Sequence, residues 1–128
     1  MATRVERLAR ANRVAEAALD KKALELVALD VSELTSYADT FIIATATSDR
    51  HARAIADAIR EAETASSSKP LGVEGYEEAR WVLIDLGDVI VHVFLAEVRD
   101  AYDLERLWSD APPIPVSALG QLAAPATR

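Results

Sequence analysis

The sequence has no cysteine, which excludes disulfides, zinc–thiolate sites and cysteine nucleophiles. Glycine is also scarce, and the four glycines build no glycine-rich loop of the kind that holds a nucleotide phosphate. Neither of the two histidines, His51 and His92, has a second metal ligand three or four positions further along, so we expect no metal site. No serine lies in the G-x-S-x-G turn of hydrolases. These absences favour a protein that is not an enzyme and binds no cofactor.

Long hydrophobic runs are missing as well. The longest apolar stretch is far shorter than the ~20 residues that cross a bilayer. The first ten residues, MATRVERLAR, lack the apolar segment of a signal peptide. Hydrophobic residues make up 51% of the 128 residues and charged residues 27%, which is the balance of one ordinary globular domain. We therefore expect a cytoplasmic protein that does not contact a membrane.

Negative charge is concentrated in one part of the chain. Residues 60–105 contain eleven Asp and Glu against four Lys and Arg, and this segment accounts for the whole net charge of −7. Such a segment would repel phosphate groups, so we expect no direct DNA binding, whereas a basic protein surface would be attracted. The alternative interpretation is a solvated acidic face that improves solubility.

Residues 81–95, WVLIDLGDVIVHVFL, predict a β-hairpin around a Gly87-Asp88 turn. Pairing about this turn puts only aliphatic side chains on one face of the hairpin. The other face, which we call the mixed face, carries Trp81 opposite Phe94, Leu83 opposite His92, and Asp85 opposite Ile90. Aromatic rings beside an imidazole and a carboxylate suit a protein partner. The alternative is that the rings pack beneath a helix of the same chain.

Hydrophobic periodicity predicts the order α-β-β-α-β-β-β-α. The predicted helices span residues 4–22, 49–64 and 98–108, and the strands span 24–31, 40–46, 71–75 and the two arms of the hairpin. The strands at 40–46 and 71–75 should be parallel and joined by a right-handed crossover through the second helix. The fold class is α/β (α+β): a mixed five-stranded sheet with flanking helices. Helical spacing places four residues of the last helix in the core: Tyr102, Leu104, Leu107 and Trp108.

The two ends of the chain have distinct patterns. We expect a single domain over residues 1–110, followed by a proline-rich tail over 111–128 that is mobile or loosely packed on the domain. The first helix carries arginines at three-residue intervals, and we expect this row to be a solvated face, with RNA contact as the alternative. The row consists of Arg4, Arg7, Arg10 and Arg13.

Six stretches, in this order and spacing, resemble the ribosomal silencing factor S (Iojap-like) family. They are residues 28–32 (ALDVS), 38–45 (ADTFIIAT), 47–50 (TSDR) with 54–57 (AIAD), 72–75 (GVEG), 81–92 (WVLIDLGDVIVH), and Arg99 with 102–108 (YDLERLW). The last two together are the most specific. The resemblance implies a nucleotidyltransferase-like fold without the catalytic residues. It also implies binding to large-subunit ribosomal protein fourteen, which blocks joining of the small and large subunits and represses translation when nutrients are scarce. Homodimers are a further expectation.

One turn departs from the family pattern. Where the family has Thr-Gly-Thr-Ser, residues 45–48 of this chain are Thr-Ala-Thr-Ser. Ala46 has less backbone freedom than glycine, which weakens any interpretation of the turn as an anion site. Ser48 and Asp49 are explained instead as N-caps of the second helix.

We predict a partner-binding surface on the mixed face of the hairpin. Its centre is formed by Trp81, Asp85, His92 and Phe94, and its rim by Glu74, Tyr76 and Glu97. Two other hypotheses stay open. One is a nucleotidyltransferase-like, metal-dependent enzyme that uses Asp30 and Asp85. The other is a dimerisation module whose self-contact is the face around Trp81.

Overall fold

The computed structural model describes residues 4–115 of the chain. Along this range the elements are α1 (Arg4–Asp20), β1 (Leu24–Asp30), β2 (Thr40–Ala46), α2 (Asp49–Ala65), β3 (Gly72–Glu74), β4 (Trp81–Asp85), β5 (Val89–Leu95), α3 (Ala96–Tyr102), α4 (Leu104–Leu107) and β6 (Pro113–Ile114). The strands form one mixed sheet in the order β3-β4-β5-β2-β1-β6, so the α/β class is confirmed. No helix in the described range is both long and apolar enough to cross a bilayer.

The hairpin of β4 and β5 has the predicted register. Trp81 pairs with Phe94 and Asp85 with Ile90. Gly87 adopts a φ of +92° in the turn, which glycine does without strain. β2 also has the predicted bounds, and all of its residues are buried, as expected for a central strand covered on both faces. Local sequence pattern was therefore sufficient to predict the hairpin and the bounds of β2.

The neighbours of β2 differ from the prediction. β2 lies parallel to β5 and antiparallel to β1. β3 lies at the edge of the sheet, separated from β2 by β4 and β5. The predicted crossover between adjacent parallel strands is therefore wrong. The physical reason is burial: β5 is apolar and buried along most of its length, whereas β3 has three residues and a largely exposed pattern. Only β5 has the side chains for a position that is covered on both faces.

A sixth strand extends the sheet beyond the predicted five. Residues of β6 pair antiparallel with β1, with Ile114 beside Ala28 and Pro113 beside Leu29. The preceding Ala111 is buried in the core. The sheet therefore extends to residue 114, beyond the predicted end of the domain at 110. Proline is accommodated because β6 is an edge strand, where one side of the backbone needs no partner. The rest of the predicted tail, residues 116–128, lies outside the described residues.

The last predicted helix is divided in two. Asp103 has a φ of 48°, in the left-handed region that Asp tolerates better than most residues, and this separates α3 from α4. Arg99 joins the two pieces to the sheet from a buried position. Its guanidinium donates to the Glu25 carbonyl oxygen at 2.7 Å, to Thr45 Oγ1 at 2.8 Å and to Glu105 Oε2 at 2.9 Å. Periodicity alone did not reveal this break, because the apolar spacing continues across Asp103.

The first face of the sheet is covered by α1 and α2, and three arginines of α1 are paired there. Glu63 of α2 is 0% exposed, and its Oε2 lies 3.4 Å from Arg13 Nη2 and 3.7 Å from Arg10 Nε. Arg10 also donates to Asp88 in the hairpin turn, and Arg7 lies 3.8 Å from Asp39. The predicted solvated basic row is therefore wrong for these three arginines. Their charge is used to connect α1 to α2 and to the hairpin.

The second face is the mixed face, and its centre is closed. α3 packs on β5 and β2, and Phe94 is 0% exposed while His92 is 5% exposed. Both were predicted at the centre of an accessible surface, and burial contradicts that accessibility. The cause is the chain's own apolar cover: Val98 of α3 and Leu104 of α4 belong to the same core cluster as Phe94. Burial lowers the pKa of His92 from 6.5 to about 4.

Replacing Glu63 tests the buried ion cluster of the first face. Glu63→Ala leaves Arg10 and Arg13 without their shared carboxylate and should lower the free energy of unfolding by about 3 kcal/mol. Urea denaturation measures this value. Glu61→Ala is the matched control on the same helix, because Glu61 is exposed, and should change stability by no more than about 0.5 kcal/mol. Equal effects of the two substitutions would show that the cluster contributes nothing.

The buried imidazole predicts a loss of stability in mild acid. The folded-state pKa of His92 is about 4 and the unfolded value is near 6.5, so the unfolded state binds a proton first as the pH falls. The part of the unfolding free energy that depends on a neutral His92 is fully present above pH 6.5 and is lost as the pH falls towards 4. Between pH 6.5 and 5 the unfolding free energy should fall by roughly 1–2 kcal/mol. Urea titrations at each pH measure this fall, which should disappear in His92→Leu and persist in His51→Gln.

Candidate protein-docking surface

The outer part of the mixed face stays open. Trp81 and Leu83 of β4 are half-buried, and β4 lies beside the edge strand β3. Together with Glu74 and Gly75 they line a shallow cavity of about 250 Å³. Gly75 has a φ of +78°, and a Cβ there would lie 2.1 Å from the carbonyl oxygen of Trp81. Only glycine fits this close approach, so the residue type at 75 shapes one wall of the cavity.

The indole of Trp81 is held from three directions. Its ring centroid lies 4.8 Å from that of Phe94 beneath it and 4.7 Å from that of Tyr102 at the end of α3. Its Nε1–H donates to His92 Nδ1 at 3.1 Å. A large aromatic side chain that is half-exposed yet fixed in position is a feature of binding hot spots, since little conformational entropy is lost on docking.

The structure distributes the other predicted residues differently. Glu74 on β3 and Glu97 on α3 are exposed, as expected for a rim. Asp85 is half-buried, and its Oδ1 accepts a hydrogen bond of 2.8 Å from the Gly87 N–H, so it shapes the hairpin turn. Tyr76 does not belong to this surface.

Tyr76 packs on the core cluster of the first face. Its hydroxyl donates to Asp57 on α2, which raises the pKa of Tyr76 above its usual value. The predicted rim therefore retains only Glu74 and Glu97, and Tyr76 instead connects the loop after β3 to α2.

Two residues of the surface were missed as functional candidates. Leu83 lies between Trp81 and Asp85 on the same face of the hairpin, and this position was a usable signal. Tyr102 was predicted to be core, yet it is 60% exposed and its ring lies against Trp81. Tyr102 is the last residue of α3, directly before the break at Asp103, and the sequence carries no local signal for its orientation.

The geometry does not support the metal-dependent alternative. Asp30 on β1 and Asp85 on β4 are separated by β5 and β2, which is about 14 Å at three strand spacings, too far to share one ion. Asp30 Oδ1 instead accepts from the backbone and hydroxyl of Ser32. Within residues 4–115 no three His, Asp or Glu side chains are grouped as metal ligands would be.

The turn after β2 is also explained without a ligand. Ser48 accepts a hydrogen bond of 3.1 Å from the His51 N–H, so it is the N-cap of α2, as predicted. His51 Nδ1 accepts from the Thr47 N–H at 2.9 Å, and its Nε2 lies 2.7 Å from the Lys21 carbonyl oxygen. Both ring nitrogens are therefore occupied, and this histidine connects the turn to the end of α1.

Comparison with known proteins identifies the family. A family model described as "Ribosomal silencing factor during starvation" matches residues 4–128, which includes the segment after residue 108. The chain is 45% identical over 93 residues to the ribosomal silencing factor RsfS of Bacillus subtilis, which covers 73% of this chain and 79% of that protein. A crystal structure of a Chromobacterium violaceum protein superposes with a TM-score of 0.78 at 40% identity, covering 79% of this chain and 84% of that one.

A more distant relative carries a related name. The mouse protein called mitochondrial assembly of ribosomal large subunit protein 1 is 28% identical over 92 residues, covering 70% of this chain and 40% of that protein. The matched family model and the bacterial relative each cover well over half of this chain. The chain therefore belongs to the ribosomal silencing factor (RsfS) family.

Proposed function

We propose that this protein binds the large ribosomal subunit through ribosomal protein fourteen and sterically blocks joining of the small subunit, which represses translation when nutrients are limiting. It acts in the cytoplasm as a binding protein and not as an enzyme. The observation that carries the proposal is the half-buried side chain of Trp81. It is held in a fixed position in the open part of the mixed face, within the acidic segment of residues 60–105. Membership of the family and the name of the mouse relative support the choice of the large subunit.

The surface that we propose for docking consists of Trp81 and Leu83 with Tyr102, bordered by Glu74 and Glu97. The aromatic and aliphatic side chains supply an apolar centre, and the carboxylates supply a negatively charged rim. Interfaces commonly have this arrangement, with the central side chains carrying most of the binding energy. Ribosomal proteins are basic where they meet RNA, so the acidic rim would attract such a partner and orient it during approach.

A second copy of the chain is the competing occupant of this surface. Two copies would bring two acidic segments together, each with the excess negative charge of residues 60–105, and this repulsion favours a cationic partner over self-association. Sedimentation velocity in dilute solution separates the two cases. A stable dimer that is dissociated by Trp81→Ala would favour the dimerisation module.

Truncating Trp81 tests the docking surface. Trp81→Ala should weaken binding to isolated large subunits about thirtyfold, or about 2 kcal/mol, because a fixed aromatic side chain at the centre of the interface is lost. Co-sedimentation measures the affinity, and a subunit-joining assay should show a parallel loss of inhibition. Trp108→Ala is the matched control, since Trp108 is also half-buried but packs against Phe41 in the closed core. Wild-type affinity in Trp81→Ala would exclude this surface.

Reversing a rim charge tests the electrostatic contribution. Glu74→Lys should slow association with large subunits about three- to tenfold at low ionic strength, because it replaces attraction by repulsion at an exposed position. Raising the salt concentration should reduce the difference from wild type. Rapid-mixing kinetics measures the rate. Glu61→Lys makes the same charge change on α2, at the other face of the sheet, and should have a smaller effect; identical rates for both variants would argue against local steering.

A further inference from the structure

We infer that His92 is a positioning residue, whose buried Nδ1 holds the indole of Trp81 with its N–H edge turned inward, so that the partner meets only the apolar part of the ring system. This inference rests on the proposed docking role of Trp81. The sequence pattern predicted His92 on the accessible surface, whereas the structure places it beneath that surface.

The hydrogen bond between the two rings has one possible direction. The indole Nε1–H of Trp81 can only donate, so His92 Nδ1, 3.1 Å away, must be the unprotonated acceptor. The proton of the neutral imidazole is then on Nε2. Because burial lowers the pKa of His92 to about 4, this neutral form is present near neutral pH. The tautomer and the direction of the bond are thus set by the indole.

His92 has no other polar interaction within the described part of the chain. Its Nε2 is buried there without a hydrogen-bond partner. A buried N–H without a partner opposes folding, and an aliphatic side chain would fill the same space without that cost. The imidazole is therefore poorly explained as a stabilising core residue. Its one polar contact, to Trp81, explains it better.

The neighbouring rings fix the imidazole in place. The Phe94 ring lies nearly parallel to it, with 9° between the ring planes and 6.1 Å between the centroids, and Phe41 meets it nearly at right angles with the centroids 5.1 Å apart. Trp81, by contrast, contacts Phe94 and Tyr102 through tilted ring faces, which hold the indole without specifying which edge points outward. The hydrogen bond to His92 determines which edge of the indole points outward. A side chain oriented before docking loses less entropy when the partner binds.

Two substitutions at His92 separate positioning from packing. His92→Leu removes the acceptor and should weaken binding to large subunits about three- to tenfold, the range expected for one hydrogen bond. His92→Asn keeps an acceptor oxygen near the position of Nδ1 and should recover most of the affinity. In a Trp81→Phe background, which lacks the indole N–H, His92→Leu should have no further effect on binding. Urea denaturation establishes the range of conditions in which each variant is folded.

Hydrogen exchange of the indole N–H provides a readout that does not depend on the partner. In a Trp108→Phe background, the single remaining indole N–H should be protected in the free protein, exposed by His92→Leu, and protected again by His92→Asn. An N–H that exchanges equally fast in all three proteins would overturn the positioning role. Unchanged binding in Trp81→Ala would overturn the docking proposal instead, so the two failures can be told apart.

Discussion

Burial of the central strand pair on both faces is the constraint on which this structure depends. β2 and β5 lie parallel at the middle of the sheet, and every residue of β2 is buried. Both strands therefore need a cover above and below. α1 and α2 supply one cover across the sheet, while α3 and α4 supply a smaller one on the other side. The unequal size of these covers leaves the outer edge of the mixed face open, and that opening is where Trp81 lies.

The same architecture determines which charges are available to a partner. Arg7, Arg10 and Arg13 of α1 are paired with carboxylates of Asp39, Asp88 and Glu63, so their positive charge is directed inward and towards the turn of the hairpin. Glu74, at the edge of the mixed face, and Glu97, on α3, remain exposed. Internal pairing thus separates the charges of the chain, and the exposed edge is acidic although the N-terminal helix is rich in arginine. The proposed attraction of a basic partner follows from this separation.

Several features could be read from residue pattern because they depend on near neighbours. The hairpin register follows from Gly87 and from the alternation on either side of it, and the cap at Ser48 follows from its place before an apolar stripe. Other features depend on residues far apart in the chain. The position of β3 at the edge and the pairing of β6 with β1 each required contacts that no local window contains.

The sequence by itself determined the fold class, the central hairpin, the acidic segment and the family resemblance, because each is carried by contiguous residues or by their composition. Only the tertiary structure decided which face of the hairpin is accessible. Phe94 and His92 share that face with Trp81, so the alternation of residues along the strands does not distinguish the three. The cover formed by α3 and α4 buries Phe94 and His92 but leaves Trp81 only half-buried. Accessibility depends on the extent of a cover supplied by another part of the chain, and strand periodicity contains no information about that extent.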